Sequence, residues 1–188
     1  MTLPAQTSDH PEPDGPTPSQ TIGPFFRPGM TWMNARDLTA PGSGAVVLTG
    51  RVTDGAGDPV PDAMIEIWQA DATGSFDTRP QAWSGFGRAL TDADGRYRFT
   101  TVLPGPVDDH QAPHVDMSVF ARGLLQRLVT RVYFHQDALD TDPVLAALDP
   151  RRRATLTARR EESEDGEDPV FRFDIRLQGG HETVFFTW

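Results

Sequence analysis

The stretch GRVTDGAGDPVPDAMIEIWQ, residues 50–69, sets the fold class. Its middle, Asp54-Gly55-Ala56-Gly57-Asp58, is dense in residues that favour tight turns. The residues around it, Val46-Val47-Leu48-Thr49-Gly50-Arg51-Val52, read as a strand. After it, Ala63-Met64-Ile65-Glu66-Ile67-Trp68 alternates, with Met64 and Glu66 on one face and Ile65 and Ile67 on the other. The pattern recurs downstream. Asp92-Ala93-Asp94-Gly95 is a turn ahead of Arg96-Tyr97-Arg98-Phe99, and Pro104-Gly105-Pro106 breaks the chain. Further strands are expected at 115–121, 129–134, 170–177 and 183–186, the last two parted by Gln178-Gly179-Gly180. Short strands with regular turns predict an all-β fold, an antiparallel β-sandwich, over residues 46–188.

Other segments depart from that pattern. Asp142 before Pro143 and Asp149 before Pro150 each pair an N-cap with a first-position proline. They predict a short helical excursion, with one helix at 144–148 and a longer one through Arg160. The acidic run from Glu161 to Asp168 reads as a solvated hairpin loop. Upstream, residues 1–16 are polar and Pro-rich and read as a disordered tail. Residues 17–45 read as an extended N-terminal arm without regular structure. Its Phe25, Phe26 and Trp32 need burial, so the arm is expected to lie on a surface, with a partner's as one option.

Composition bounds the function. The chain has 188 residues, enough for one domain with a real core. A formal charge of −10 argues against nucleic acid and against an anionic membrane surface. No apolar run approaches a membrane span and no signal peptide is visible, so a cytoplasmic location is expected. The absence of cysteine excludes thiolate catalysis, disulfides and Cys-ligated zinc. Every basic residue is arginine, so lysine chemistry is excluded and each cation is a planar fork suited to carboxylates.

His114-Val115-Asp116 is the strongest metal-binding pattern, because residues two apart on a strand share a face. A distal His, His181 first and His135 behind it, would complete a 2-His-1-carboxylate triad for Fe(II). Such an oxygenase with an oxo-acid cosubstrate also needs a basic residue soon after the distal His, and none follows His181. There is no Gly-x-Ser-x-Gly elbow and no phosphate-binding glycine loop. The residues alone thus point to no complete metal or nucleophile site.

Six segments, in order, resemble the intradiol ring-cleaving dioxygenases: TPSQTIGPFF (17–26), GRVTDGAGDPVPDAMIEIWQADATG (50–74), GFGRALTDADGRYRFTTVLPGP (85–106), APHVDMSVFARGL (112–124), TRVYF (130–134) and FRFDIRLQGGHETVFF (171–186). The FARG and QGxxETVFF segments look like the subunit that does not bind iron in two-subunit members. The resemblance implies ferric iron held by two Tyr and two His, a catechol chelated there, and O2 attack between the hydroxyl carbons. Phe76, Val107, His114 and Asp116 stand at the matching ligand positions, so three of four ligands are absent here. Fe(III) is then expected in a homologous beta subunit, with the two chains forming αβ units of a larger oligomer. The implied substrate is 3,4-dihydroxybenzoate, opened to 3-carboxy-cis,cis-muconate in the beta-ketoadipate route of aromatic catabolism.

The resemblance assigns this chain a wall of the substrate pocket, with Thr21, Gly23 and Pro24 from the arm and Arg122 from FARG. Arg122 would either hold the substrate carboxylate or form a structural salt bridge at the subunit interface. The GRVTD…PVPDA hairpin also resembles transthyretin-like sandwiches, which are binding modules without catalysis. The TPSQTIGPFF arm is the feature such modules lack.

Overall fold

The computed structural model describes residues 21–23, 26–30, 35–39, 44–76, 83–134, 142–162 and 167–187. Two sheets face each other across one core. The first is built on β1 (Ala45–Thr53), flanked by β4 (Arg96–Val102) on one side and by β8 (Val170–Arg172) and β7 (Arg159–Glu161) on the other. β9 (Ile175–Arg176) continues past β8 along β1. The second sheet has the order β3 (Phe86–Leu90), β2 (Met64–Gln69), β5 (His114–Phe120), β6 (Leu128–Tyr133). Leu48, Phe99 and Phe171 from one sheet and Ile65, Ile67, Val115 and Met117 from the other fill the space between them. That burial of alternating residues is what closes the sandwich.

The predicted sandwich is present, with four local differences. The first sheet is mixed, because β1 runs parallel to β8 and β9. The strand expected at 170–177 is interrupted at Phe173-Asp174, although the chain keeps its register along β1 and Phe173 N still donates to the Thr49 carbonyl at 2.8 Å. Gly50 permits the close approach of Phe173, since a Cβ there would lie 1.8 Å from the Phe173 carbonyl oxygen. The Tyr97 hydroxyl, buried opposite Gly50, donates to that same carbonyl at 2.5 Å. The segment 183–186, expected as a strand, contributes only a bridge between Phe186 and Val129. β3 was not anticipated, because Phe86-Gly87-Arg88-Ala89-Leu90 lacks the β-branched residues that mark a strand.

The helical excursion is shorter than predicted. α2 (Pro143–Ala146) and α3 (Pro150–Ala154) both start at their Asp-Pro signals. The second does not reach Arg160. Leu156 is fully buried in a small cluster with Ala112, Tyr133, Leu145 and Val184. That anchor pulls the chain out of the helix, and Tyr133 N and O then pair with Leu156 O and Ala158 N. Arg159 and Arg160 lie in β7.

The arm is more structured than its composition suggests. Phe26–Met30 form a one-turn helix, α1, where no regular structure was expected. Residues 35–39 lie on this chain's own sandwich. Ala35 bridges to Arg88 on β3, and Asp37 bridges to Thr100 on β4. Leu38 is buried between these edges, and the Trp83 indole donates to its carbonyl. The arm thus ties the free edge of each sheet to the other, as edge strands require. Residues 1–16, Pro24, Phe25 and Trp32, assigned above to tail and arm, lie outside the described residues.

Candidate functional site

Two places carry the residues singled out by sequence. The first is the outer face of the second sheet. On β5, His114 and Asp116 share that face, as expected for residues two apart. Trp68 on β2 lies directly opposite Asp116, and Arg131 on β6 lies on its other side. Phe76 stacks on Trp68 with ring centroids 5.9 Å apart and planes 9° from parallel. Its loop is clasped to the one carrying Val107. Gly105 N donates to Asp71 O at 2.8 Å, and a Cβ on Gly74 (φ +83°) would sit 2.0 Å from the Pro106 carbonyl oxygen. The Asp71 side chain fixes the turn by accepting from Thr73 N and Ser75 N at 2.8 and 2.9 Å. Those hydrogen bonds hold its carboxyl below the usual range. Gln69 ties this end of β2 to the other sheet, donating to the Val102 carbonyl at 2.9 Å and accepting from Thr101 Oγ1 at 2.8 Å.

The four positions named by resemblance therefore lie around one patch, but the patch does not fit iron. Phe76 and Val107 are exposed and offer no donor atom. Arg131 Nε lies 3.2 Å from Asp116 Oδ1, so a guanidinium occupies that carboxylate. His114 Nε2 lies 3.7 Å from the same oxygen. His114 Nδ1 is 2.7 Å from the Ala112 carbonyl, which can only accept, so Nδ1 carries the proton and Nε2 keeps its lone pair. Burial, with Arg131 nearby, lowers the His114 pKa despite the opposing Ala112 hydrogen bond. Among the described residues no group of three His, Asp or Glu side chains could hold a metal ion. His181, first choice for a third ligand, is in an exposed turn at φ 64°, and His135 is outside the described residues.

A pH dependence follows from His114. The unfolded imidazole titrates near 6.5 and the folded one lower, so below 6.5 the unfolded chain takes up the proton first. Folding stability is expected to fall as pH drops from 6.5 toward the folded value. Urea unfolding at stepped pH checks this, and His114→Gln should remove that component of the slope.

The second place is the turn after β5. Arg122 pairs with Asp62, whose carboxylate is only 16% exposed while the Arg122 side chain is 58% exposed. The next residue, Gly123, donates its N–H to Thr21 Oγ1 at 3.0 Å. Thr21 and Arg122, 101 positions apart by number, are thereby brought to one spot, with Gly23 exposed close by in sequence. Pro24, expected there too, lies outside the described residues. Sequence alone missed Arg131 and Asp62. The only available signal was strand register for Arg131, and none marked Asp62.

Comparisons with known proteins find one family along most of the chain. The Dioxygenase_C family, described as dioxygenase, matches residues 23–179. The protocatechuate 3,4-dioxygenase alpha chain of Burkholderia cepacia is 40% identical over 190 residues, covering 90% of this chain and 96% of that one. The beta chain of the same enzyme and organism is 36% identical over 155 residues, 73% of this chain and 66% of that one. Among solved structures, the dioxygenase domain of a dioxygenase carbohydrate-binding protein fusion from Streptomyces sp. SirexAA-E superposes with a TM-score of 0.60 at 25% identity, covering 88% of this chain and 99% of that one. A transthyretin-like binding module is not favoured, since the match runs through catalytic relatives from arm to C-terminal segment. Sandwich, ordered motifs and relatives together place this chain in the intradiol ring-cleaving dioxygenase family.

Proposed function

We propose that this chain is the non-iron-binding subunit of a two-subunit intradiol dioxygenase acting on 3,4-dihydroxybenzoate. The observation that carries the division of labour is the Arg131–Asp116 pair, with Phe76 and Val107 beside it, where a metal would need free anionic donors. Ferric iron belongs to a homologous beta subunit in this scheme, and supplies there the activation of the catechol toward O2. Both an alpha and a beta chain being similar to this sequence supports a two-subunit enzyme. The product would be 3-carboxy-cis,cis-muconate, and the enzyme would act in aromatic catabolism, in the cytoplasm in this reading.

This chain's own contribution is structural and electrostatic. Thr21, Gly23 and Pro24 would wall the pocket, where small residues admit a flat ring closely. Arg122 presents a guanidinium fork matched to the substrate carboxylate. Its Asp62 partner, more buried than Arg122 itself, would hold the fork in place. Trp68, Phe76 and Val107 are large apolar side chains exposed around one patch. Covering them would suit the beta subunit, since apolar patches mark interfaces.

Co-expression with a beta homologue tests the scheme. The expected result is co-purification, one iron per pair, and 3,4-dihydroxybenzoate-dependent O2 uptake that neither chain shows alone. Tight ferric iron in this chain purified alone would overturn it.

A further inference from the structure

The outer face of the first sheet, on the opposite side of the sandwich from the patch above, holds a cluster of arginines that the proposed function does not use. Arg51 on β1 stands directly opposite Arg96 on β4. Its neighbour on the same face, Thr49, stands opposite Arg98 on one side and Arg172 on β8 on the other. Thr49, Gly50, Arg51, Arg96 and Arg172 line a pocket of about 90 Å³. Like charges facing each other across a strand pair are unfavourable. They are more notable in a chain whose formal charge is −10.

The cluster is held in shape by acids behind it. Arg51 Nε donates to the Asp94 carbonyl at 2.7 Å, and Arg96 Nη1 pairs with the Asp94 carboxylate. Arg172 Nε donates to both oxygens of Asp174 at 3.1 and 2.9 Å. Asp174 in turn accepts the Arg51 backbone N–H at 3.0 Å. Each guanidinium is thus anchored through part of its donor set. Among the described residues, Arg51 Nη1 and Nη2 and Arg96 Nε and Nη2 have no acceptor within hydrogen-bond reach. Arg172 Nη1 also faces Glu161 Oε1 at 3.7 Å, so the spare donors around this small pocket are those of Arg51 and Arg96, and anchored forks with spare donors are what an oxyanion needs.

We propose that this pocket binds a small oxyanion, phosphate or carboxylate, at a site separate from substrate. Arg51 and Arg96 supply the principal donors, and Arg172 closes the third side. The test is titration of the full chain with inorganic phosphate by calorimetry, at constant ionic strength set with sodium chloride, with benzoate as the carboxylate probe. Saturable binding of one phosphate is expected, at least tenfold weaker in Arg51→Gln and in Arg96→Gln and unchanged in Arg127→Gln. Competition by benzoate would extend the site to carboxylates, and its absence would restrict it to tetrahedral anions. Circular dichroism verifies that the variants, all at exposed or half-exposed positions, stay folded. Absence of saturable binding, or equal weakening in Arg127→Gln, would overturn the site.

Discussion

Replacing Arg122 with alanine in the reconstituted enzyme is expected to raise KM for 3,4-dihydroxybenzoate on the order of ten- to a hundredfold, with kcat much less affected. A hydrogen bond between charged partners contributes roughly 1.5–3 kcal/mol, and a factor of ten corresponds to about 1.4 kcal/mol. The side chain is 58% exposed and already oriented by Asp62, so the fork is available to a ligand. Loss of an interaction made equally in ground and transition states appears in KM rather than kcat. A catechol without a carboxylate should be indifferent to the change. Arg122→Lys should recover part of the effect, since it keeps the charge but not the fork. Unchanged kinetics together with lowered stability would assign Arg122 to the Asp62 pair alone.

Asp142→Ala is expected to destabilise the fold on the order of 3–5 kcal/mol, lowering the melting temperature by roughly 10 °C. The residue is fully buried, and its two oxygens serve four donors. Oδ1 caps α2 by accepting from Val144 N and Leu145 N at 2.8 and 3.2 Å. Oδ2 accepts from Ala112 N at 3.0 Å and from the Tyr133 hydroxyl at 3.4 Å. Burial pushes that hydroxyl up to about 12, so it stays a donor throughout the physiological range. Alanine would strand these donors away from water, the costly half of a broken hydrogen bond. Asp149→Ala is the internal control. Among the described residues its exposed carboxylate accepts from Arg151 N and Arg152 N alone, and an ordinary cap is worth about 0.5–2 kcal/mol. Equal losses in the two variants, by thermal or urea unfolding, would mean that the buried contacts of Asp142 contribute nothing beyond its cap.

These two aspartates show how much was legible beforehand. Asp-Pro is the same local signal at both positions, and both helices start where it says. Turns were equally legible. The Asp92 carboxylate accepts from Asp94 N and Arg96 N at 2.9 and 2.8 Å, with Gly95 at φ +74°. The alternation of Ile65 and Ile67 against Glu66 placed one face inward, and the core contains both isoleucines. What failed were extents, together with two elements, β3 and α1, that no local pattern marked. Arg159 and Arg160 sit well in a helix by propensity, yet burial of Leu156 and bridging to Tyr133 outweigh a few tenths of a kcal/mol per residue.

The candidate site divides the same way. Sequence by itself determined its chemistry: Phe76 and Val107 cannot ligate a metal, and His114 and Asp116 share a face because a strand has a period of two. It also determined the sandwich, through short alternating strands closed by turns whose conformations are set within four or five residues. The tertiary structure alone decided the partners. Arg131 reaches Asp116 through β5–β6 register, Asp62 reaches Arg122 across 60 positions, and Thr21 meets Gly123 across 102. Local rules act over a turn of chain, whereas these contacts depend on packing two sheets and an arm, which no local pattern encodes.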